Sequence, residues 1–217
     1  PTVPIDRVKL AITLDMVGRL RDGKLFVLGT RSGFGLRRLF SGVEQPLSLD
    51  FSWELQANSD HWSFLERRVP VALLHTGLHQ DYHRPSDDAD KINRDGLRDV
   101  SRYLLASLLK AANEEHLPAY RAGGGRETLA MQSKFEQSLP DATLADWPAD
   151  LPPPRLGISW REDAAEPGTV FLTRVVPDTP AAEAGLAVND RIYELNDRPF
   201  ANAAAFQTAI TALLDAL

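Results

Sequence analysis

The 217-residue chain contains no cysteine. That absence removes disulfide staples, thiolate metal sites and cysteine nucleophiles, and it leaves the redox compartment undecided. No apolar run reaches the length that a bilayer requires. Positive charge is also scarce: 24 Lys and Arg stand against 30 Asp and Glu, for a net charge of −6. Binding a phosphate backbone takes a basic face, so this balance argues against a nucleic-acid partner. The chain opens on Pro1 without a signal peptide, which reads as the start of a segment cut from a longer precursor. The remainder is ordinary for a globular protein, with 43% hydrophobic and 25% charged residues. Its length suffices for a buried core and for two domains.

Val8–Leu14 is apolar and β-branched and predicts a buried strand. Lys24–Leu28 predicts a second strand, paired with the first across the turn at Asp22-Gly23. Ser32–Leu39 reads as a short helix, and Asp60–Arg67 as a helix capped by Ser59 or Asp60. The continuous apolar run of Val69–Thr76 predicts a strand buried on both faces. Asp95–Glu115 predicts a long amphipathic helix with Leu97, Val100, Leu104, Leu105 and Leu108 on its inner side. Strands and helices in this alternation make residues 1–116 an α/β layered domain. From 117 to 154 the texture changes. Gly123-Gly124-Gly125 and four prolines between Pro148 and Pro154 mark a linker, with a helical insert over Glu127–Leu139. Residues 155–217 form a small β-rich module. Its expected strands are Leu156–Trp160, Val170–Val175 and Arg191–Leu195, with a helical turn at Pro180–Ala184 and a helix over Ala203–Leu214.

The richest chemistry lies in His79–Asp90, where two histidines, a tyrosine and four aspartates follow the best strand. Imidazoles and carboxylates build hydrolytic metal sites, and α/β enzymes place such groups on loops leaving buried strands. Asp15 stands at the end of the first strand in L-D-M-V-G-R, where a carboxylate serves either as a metal ligand or as a solvated turn residue. His79 and His83 are four apart, but Gly77 and Pro85 bracket them and disfavour the helix that a zincin motif requires. Tyr82 reads as an oxyanion donor or as a packing aromatic. Ser59-Asp60-His61 cannot be a serine triad, because triad members meet through the fold rather than along the chain.

The ordered set L-D-M-V-G-R (14–19), S-D-H-W-S-F (59–64), V-P-V-A-L-L-H-T-G (69–77), D-Y-H-R-P-S-D (81–87) and D-K-I-N (90–93) resembles the C-terminal half of the clan MH di-zinc aminopeptidases. The fold of that group recurs in glutamate carboxypeptidase and the transferrin receptor ectodomain. The resemblance implies a partial zinc-exopeptidase α/β/α sandwich and two zinc ions in the intact enzyme. It implies that Asp15 binds one zinc and His83 the other, and that Tyr82 stabilises the tetrahedral oxyanion. Asp60 and Asp87 would order these groups from behind. The upstream histidine, bridging aspartate, glutamate ligand and glutamate base of that family have no counterpart in this sequence. The expectation is therefore a chain that alone binds zinc weakly and hydrolyses no peptide. A half-sheet leaves edges open, so the missing half or self-association is expected to cover them. The family's usual compartments imply a secreted, periplasmic or membrane-anchored location.

The small module resembles a PDZ domain through R-L-G-I (155–158), P-D-T-P-A-A-E-A-G-L (177–186), N-D-R-I (189–192) and L-N-D-R-P-F (195–200). The resemblance implies that the amides of Leu156, Gly157 and Ile158 capture a peptide C-terminus. The peptide would then add as a strand beside Ile158–Trp160, or else the module would simply dock within the protein. The last PDZ strand does not appear before Leu217, so later residues or another segment would fill its place. The leading expectation is part of a zinc aminopeptidase with a PDZ module for peptide C-termini or intramolecular docking. The alternatives are a non-catalytic peptide-binding scaffold, or glutaminyl cyclase or carboxypeptidase chemistry on the same fold.

Overall fold

A computed structural model describes residues 3–140 and 156–215. The chain divides into two compact units, Pro1–Gln132 and Ser133–Leu217.

In the first unit the strand expected to be buried becomes β4, Val71–His75, the best-covered strand of a four-stranded sheet. The other strands are β1 (Ala11–Leu14), β2 (Lys24–Leu28) and β3 (Ser48–Asp50), in the order β1-β4-β2-β3. β1 lies parallel to β4, with Ala11 opposite Val71 and Leu14 opposite Leu74. β2 runs antiparallel to β4 and parallel to β3. The expected pairing of the first two strands is thus corrected: β4 lies between them, and the turn at Asp22-Gly23 closes only the isolated bridge Arg21–Lys24.

Alternate side chains of β4 point to opposite faces. Ala72 and Leu74 join one core with Leu36, Leu39 and Phe40 of α1 (Leu36–Ser41) and with Val100 and Tyr103 of α3 (Arg94–Asn113). Val71 joins the other core with Leu65 of α2 (His61–Leu65). Helices on both faces make the layered α/β arrangement. A Cβ on Gly29 would lie 2.9 Å from the Val71 carbonyl, and its φ is +80°, so only glycine lets this turn press against β4.

The inner face of α3 keeps Val100 and Leu104 of the expected stripe, but Leu105 and Leu108 turn outward. Gly96, Val100, Tyr103, Ser107 and Ala111 are buried, whereas Leu105, Leu108 and Leu109 are 59%, 44% and 57% exposed. Asn93 caps this helix through the Gly96 amide at 2.9 Å. For α2, neither Ser59 nor Asp60 makes a side-chain cap; Asp60 occupies the cap position and the Ser59 carbonyl accepts from Trp62.

The stretch read as linker makes defined contacts. Arg121 donates its amide to Ser32, and Ala119 accepts from Phe34. Glu127 receives Arg31 Nε at 2.6 Å and Arg121 Nη2 at 2.8 Å, while the Arg31 guanidinium lies 3.5 Å from the centre of the Trp53 ring. Burial pushes the Glu127 carboxyl up, but the two guanidiniums outweigh it and hold the group below its ordinary value. The helix within the stretch, α4, spans Leu129–Phe135.

In the second unit, β5 (Ile158–Glu162), β6 (Val170–Val175) and β7 (Arg191–Ile192) form an antiparallel sheet. The short α5 is Pro180–Glu183, and β8 (Glu194–Leu195) pairs with β9 (Arg198–Pro199). The helix α6 (Ala203–Asp215) buries Phe206 and Ile210 with Val170 and Phe200. The Phe135 ring packs at a tilt against Phe171, with centres 5.0 Å apart, and the Leu139 amide donates to the Thr173 carbonyl at 2.9 Å. The segment ahead of the module therefore extends its β6 side.

The α3 faces give the first prediction. Tyr103→Ala should lower unfolding stability by about 3–5 kcal/mol, whereas Leu105→Ser should stay within about 0.5 kcal/mol, both read from urea unfolding. Equal losses would reject the assignment of the buried face.

Candidate functional site

Parallel pairing puts the carboxyl ends of β1 and β4 side by side, the place where open α/β sheets form their sites. Asp15 follows β1, and its amide donates to Leu74 of β4 at 3.1 Å. The loop carrying Tyr82 and His83 follows β4. Both segments line one cavity of about 590 Å³, whose walls include Asp15, His79, Tyr82, His83 and Asp87. Two segments more than sixty residues apart thus bring their expected site residues together. Asp60 is exposed and is not among the residues lining that cavity.

Tyr82 and His83 stack with ring centres 3.9 Å apart and planes 20° apart. His83 has a left-handed backbone, φ +55°, and so does Met16 beside Asp15, φ 53°. The Met16 carbonyl accepts from the Thr76 hydroxyl, and its sulfur lies 3.2 Å from His75 Nε2. His79, read from sequence as loop structure, is 10% exposed at its side chain; its Nδ1 is buried without a partner and its Nε2 lies 3.9 Å from Asp87. His61 is fully buried and its Nε2 meets the Gln56 carbonyl at 3.0 Å, a structural role that disposes of a nucleophilic Ser59-Asp60-His61 unit.

A group of charges around the loop had no motif to reveal it. Arg19 pairs with Asp87 and lies 3.6 Å from Asp81. Asp81 also takes the Lys91 ammonium at 2.5 Å and the Ser86 hydroxyl at 2.7 Å. The Lys91 hydrogen bond, then that of Ser86, draws the Asp81 carboxyl down to about 2.

Asp15 and His83 offer a carboxylate and an imidazole, donors of the kind used by hydrolytic metals. Among the described residues, however, no three His, Asp or Glu side chains converge closely enough to hold an ion. The donor types fit a metal, whereas their number does not complete a site.

In the second unit, Gly157 has φ +78°, and a Cβ there would run into the Thr179 side chain. The carbonyls of Leu156 and Gly157 accept from Ala181 at 3.2 Å and Val176 at 2.7 Å. The amides of Leu156 and Gly157, just ahead of β5, donate to no backbone carbonyl among the described residues.

Layered α/β architecture with candidate donors at the carboxyl ends of parallel strands marks the first unit, and a small antiparallel sheet packed on a helix marks the second. Residues 1–108 match the model of Peptidase family M28 and residues 148–212 that of the PDZ domain, so the chain carries an M28 peptidase region followed by a PDZ domain. Two solved structures are similar to part of it. One is the LapA aminopeptidase of Legionella pneumophila, with TM-score 0.44 and 21% identity over 50% of this chain and 32% of that one. The other is the aminopeptidase of Aneurinibacillus sp. strain AM-1, with TM-score 0.42 and 26% identity over 54% and 27%. The chain therefore spans less than a third of either structure. No curated protein matches it. No helix among the described residues is long and apolar enough to cross a membrane.

Burial lowers the pKa of both His61 and His75 from the ordinary 6.5. The folded state thus disfavours their protonation, so their contribution to stability is complete above the unfolded value and is lost as pH falls through the lowered folded value. The unfolding free energy read from urea titrations should fall as pH is lowered from 7.5 to 5.5, by up to about 1.4 kcal/mol per pH unit for each histidine. His61→Gln should flatten that slope; an unchanged slope would remove His61 from the account.

Proposed function

We propose that the M28 region supplies part of the active site of a zinc-dependent aminopeptidase, and that the PDZ module binds a peptide C-terminus or docks within the protein. The observation that carries the first half is the convergence of Asp15, Tyr82 and His83 on one cavity at the carboxyl ends of β1 and β4. In this reading Asp15 holds one zinc and His83 the other, with further ligands and the general base supplied from outside this sequence. Bound zinc would supply a Lewis acid and a water acidified for attack. The Tyr82 hydroxyl would donate to the oxyanion of the tetrahedral intermediate, a charge that appears only during reaction. Asp87 would steady the loop through Arg19 and His79. Asp60, which makes no side-chain cap on α2, would act only as an ordering group behind the site. This chain alone would bind zinc weakly and hydrolyse no peptide, because a catalytic zinc normally takes three protein ligands.

Carboxylate capture by the PDZ module would use the amides of Leu156, Gly157 and Ile158. The peptide would add along the free edge of β5, facing α6.

The intact gene product should contain about two zinc ions per chain and release N-terminal residues from chromogenic aminoacyl substrates. His83→Ala should lower the zinc content, and Tyr82→Phe should reduce kcat by about 10²–10³ with zinc retained. Full activity in both variants would sink the reading. For the PDZ half, peptides with a free C-terminal carboxylate should bind this chain and their amidated forms should not. Gly157→Val should abolish the binding, and equal binding of both peptide forms would refute carboxylate capture.

A further inference from the structure

The two candidate donor segments are tied at both ends of the intervening loop. Near its start, Arg21 donates to the Leu78 carbonyl at 2.6 Å, and Thr76 donates to the Met16 carbonyl. Near its finish, the Asn93 amide donates to Gly18 at 2.9 Å and its side chain to Leu20 at 2.9 Å. Between these ties the backbone makes only short turns, Tyr82 to His79, Arg84 to Asp81, Asp87 to Arg84 and Asp88 to Ser86, followed by one 3-10 turn over Ala89–Lys91. No strand or α-helix crosses this stretch among the described residues, yet it carries His83 in a left-handed conformation that L-residues adopt at a cost. A conformation of that kind persists only where its surroundings over-determine it.

Arg19 provides the missing tie. It closes the 3-10 turn Val17–Arg19, four residues beyond Asp15. Its guanidinium reaches Asp81 through Nη1 and Asp87 through Nη2, the two carboxylates that flank Tyr82 and His83. Its side chain is only 15% exposed, so the pair is less screened than an ordinary surface contact. Lys91 and Ser86 brace Asp81 from the other side. A rigid planar fork can engage two carboxylates in fixed directions, whereas the point charge of a lysine cannot.

We propose that Arg19 is a positioning residue: by bridging Asp81 and Asp87 it fixes the loop that carries Tyr82 and His83 against the turn that carries Asp15, and so sets the separation of the two metal-binding side chains. The proposal rests on the reading of Asp15 and His83 as zinc ligands. Arg19 also lines the cavity, and the role proposed for it runs through the two carboxylates.

Hydrogen exchange and NMR on this chain test it. In Arg19→Met the amides of Tyr82, Arg84 and Asp87 should exchange about fivefold faster or more, with those of β4 and α3 unchanged. Zinc alone, titrated while the His83 imidazole is observed, should bind about tenfold more weakly. Arg19→Lys should recover less than half of either effect. If Arg19→Met folds poorly, the double variant Asp81→Asn, Asp87→Asn removes the same bridge from the other side and should reproduce the local exchange. Loop amides that exchange at the wild-type rate overturn the proposal and leave the zinc reading intact. An increase shared equally by β4 and α3 also overturns it, since a merely structural residue would loosen the whole unit. A wild-type His83 that ignores zinc overturns the metal reading whatever the exchange shows.

Discussion

Strand β4 is hydrogen-bonded along both edges, parallel to β1 on one side and antiparallel to β2 on the other. Its side chains feed the cores of both faces. A strand in that position has no freedom to slip, because a shift of one residue would exchange its two faces and bury the wrong set. The candidate site inherits this rigidity. Asp15 is placed by its amide on Leu74, and the loop of Tyr82 and His83 begins directly where β4 ends. The parallel pairing with β1 then turns two remote sequence positions into neighbours. A hairpin between β1 and β2 would have placed β2 between β1 and β4 and moved the two donors apart by one more strand spacing.

The largely buried triad of Arg31, Glu127 and Arg121 acts in a comparable way on the stretch after α3. Taking three charges out of water is costly, and removing one partner from such a group strands the others. The contact with Trp53 and the two-sided approach to Glu127 offset that cost and leave one arrangement satisfied. Gly124 belongs to the same device, since a side chain there would collide with the Arg31 backbone. A glycine-rich segment that reads as flexible by composition is therefore held by specific bonds, with Arg121 seated on Ser32 and Gly124 turned back on Arg121.

Much of the layered fold was legible because it rests on local pattern. The apolar runs at Val71–His75 and Val170–Val175 became strands, and the alanine-rich stretch from Ala203 became a helix. The motif resemblance located the M28 and PDZ regions for the same reason, since each motif is a short run of neighbours. What escaped depends on contacts remote in sequence. Nothing local says that β4 will lie between β1 and β2, or that three residues at Ser48–Asp50 will pair with β2. The burying face of α3 was partly misjudged because leucine count favoured Leu105 and Leu108. The space beneath the helix takes Gly96, Ser107 and Ala111 beside two larger residues, so close approach decided the orientation. Asp15, Tyr82 and His83 could be found by motif, whereas Arg19, Asp81 and Lys91 could not. Charged residues on loops carry no periodicity, and their partners appear only once the loop is folded.

The strained residues give that last point a physical basis. Among the non-glycine residues with positive φ, Met16 adjoins one candidate ligand and His83 is the other. Histidine tolerates the left-handed region somewhat, and methionine much less. Each such residue costs of order 1–3 kcal/mol and survives only where neighbours compensate. At Met16 the compensation comes from Thr76 and His75, both at the end of β4. Around His83 it comes from stacking on Tyr82 and from the carboxylates that Arg19 and Lys91 fix on either side. Regular ladders cannot aim two side chains from adjacent strand ends at one cavity, because their directions follow the pleat. Departing from the ladder allows that aim, and the surrounding polar ties keep the departure in place. Strain and charge network are thus two parts of one arrangement, and both begin where β4 leaves the sheet.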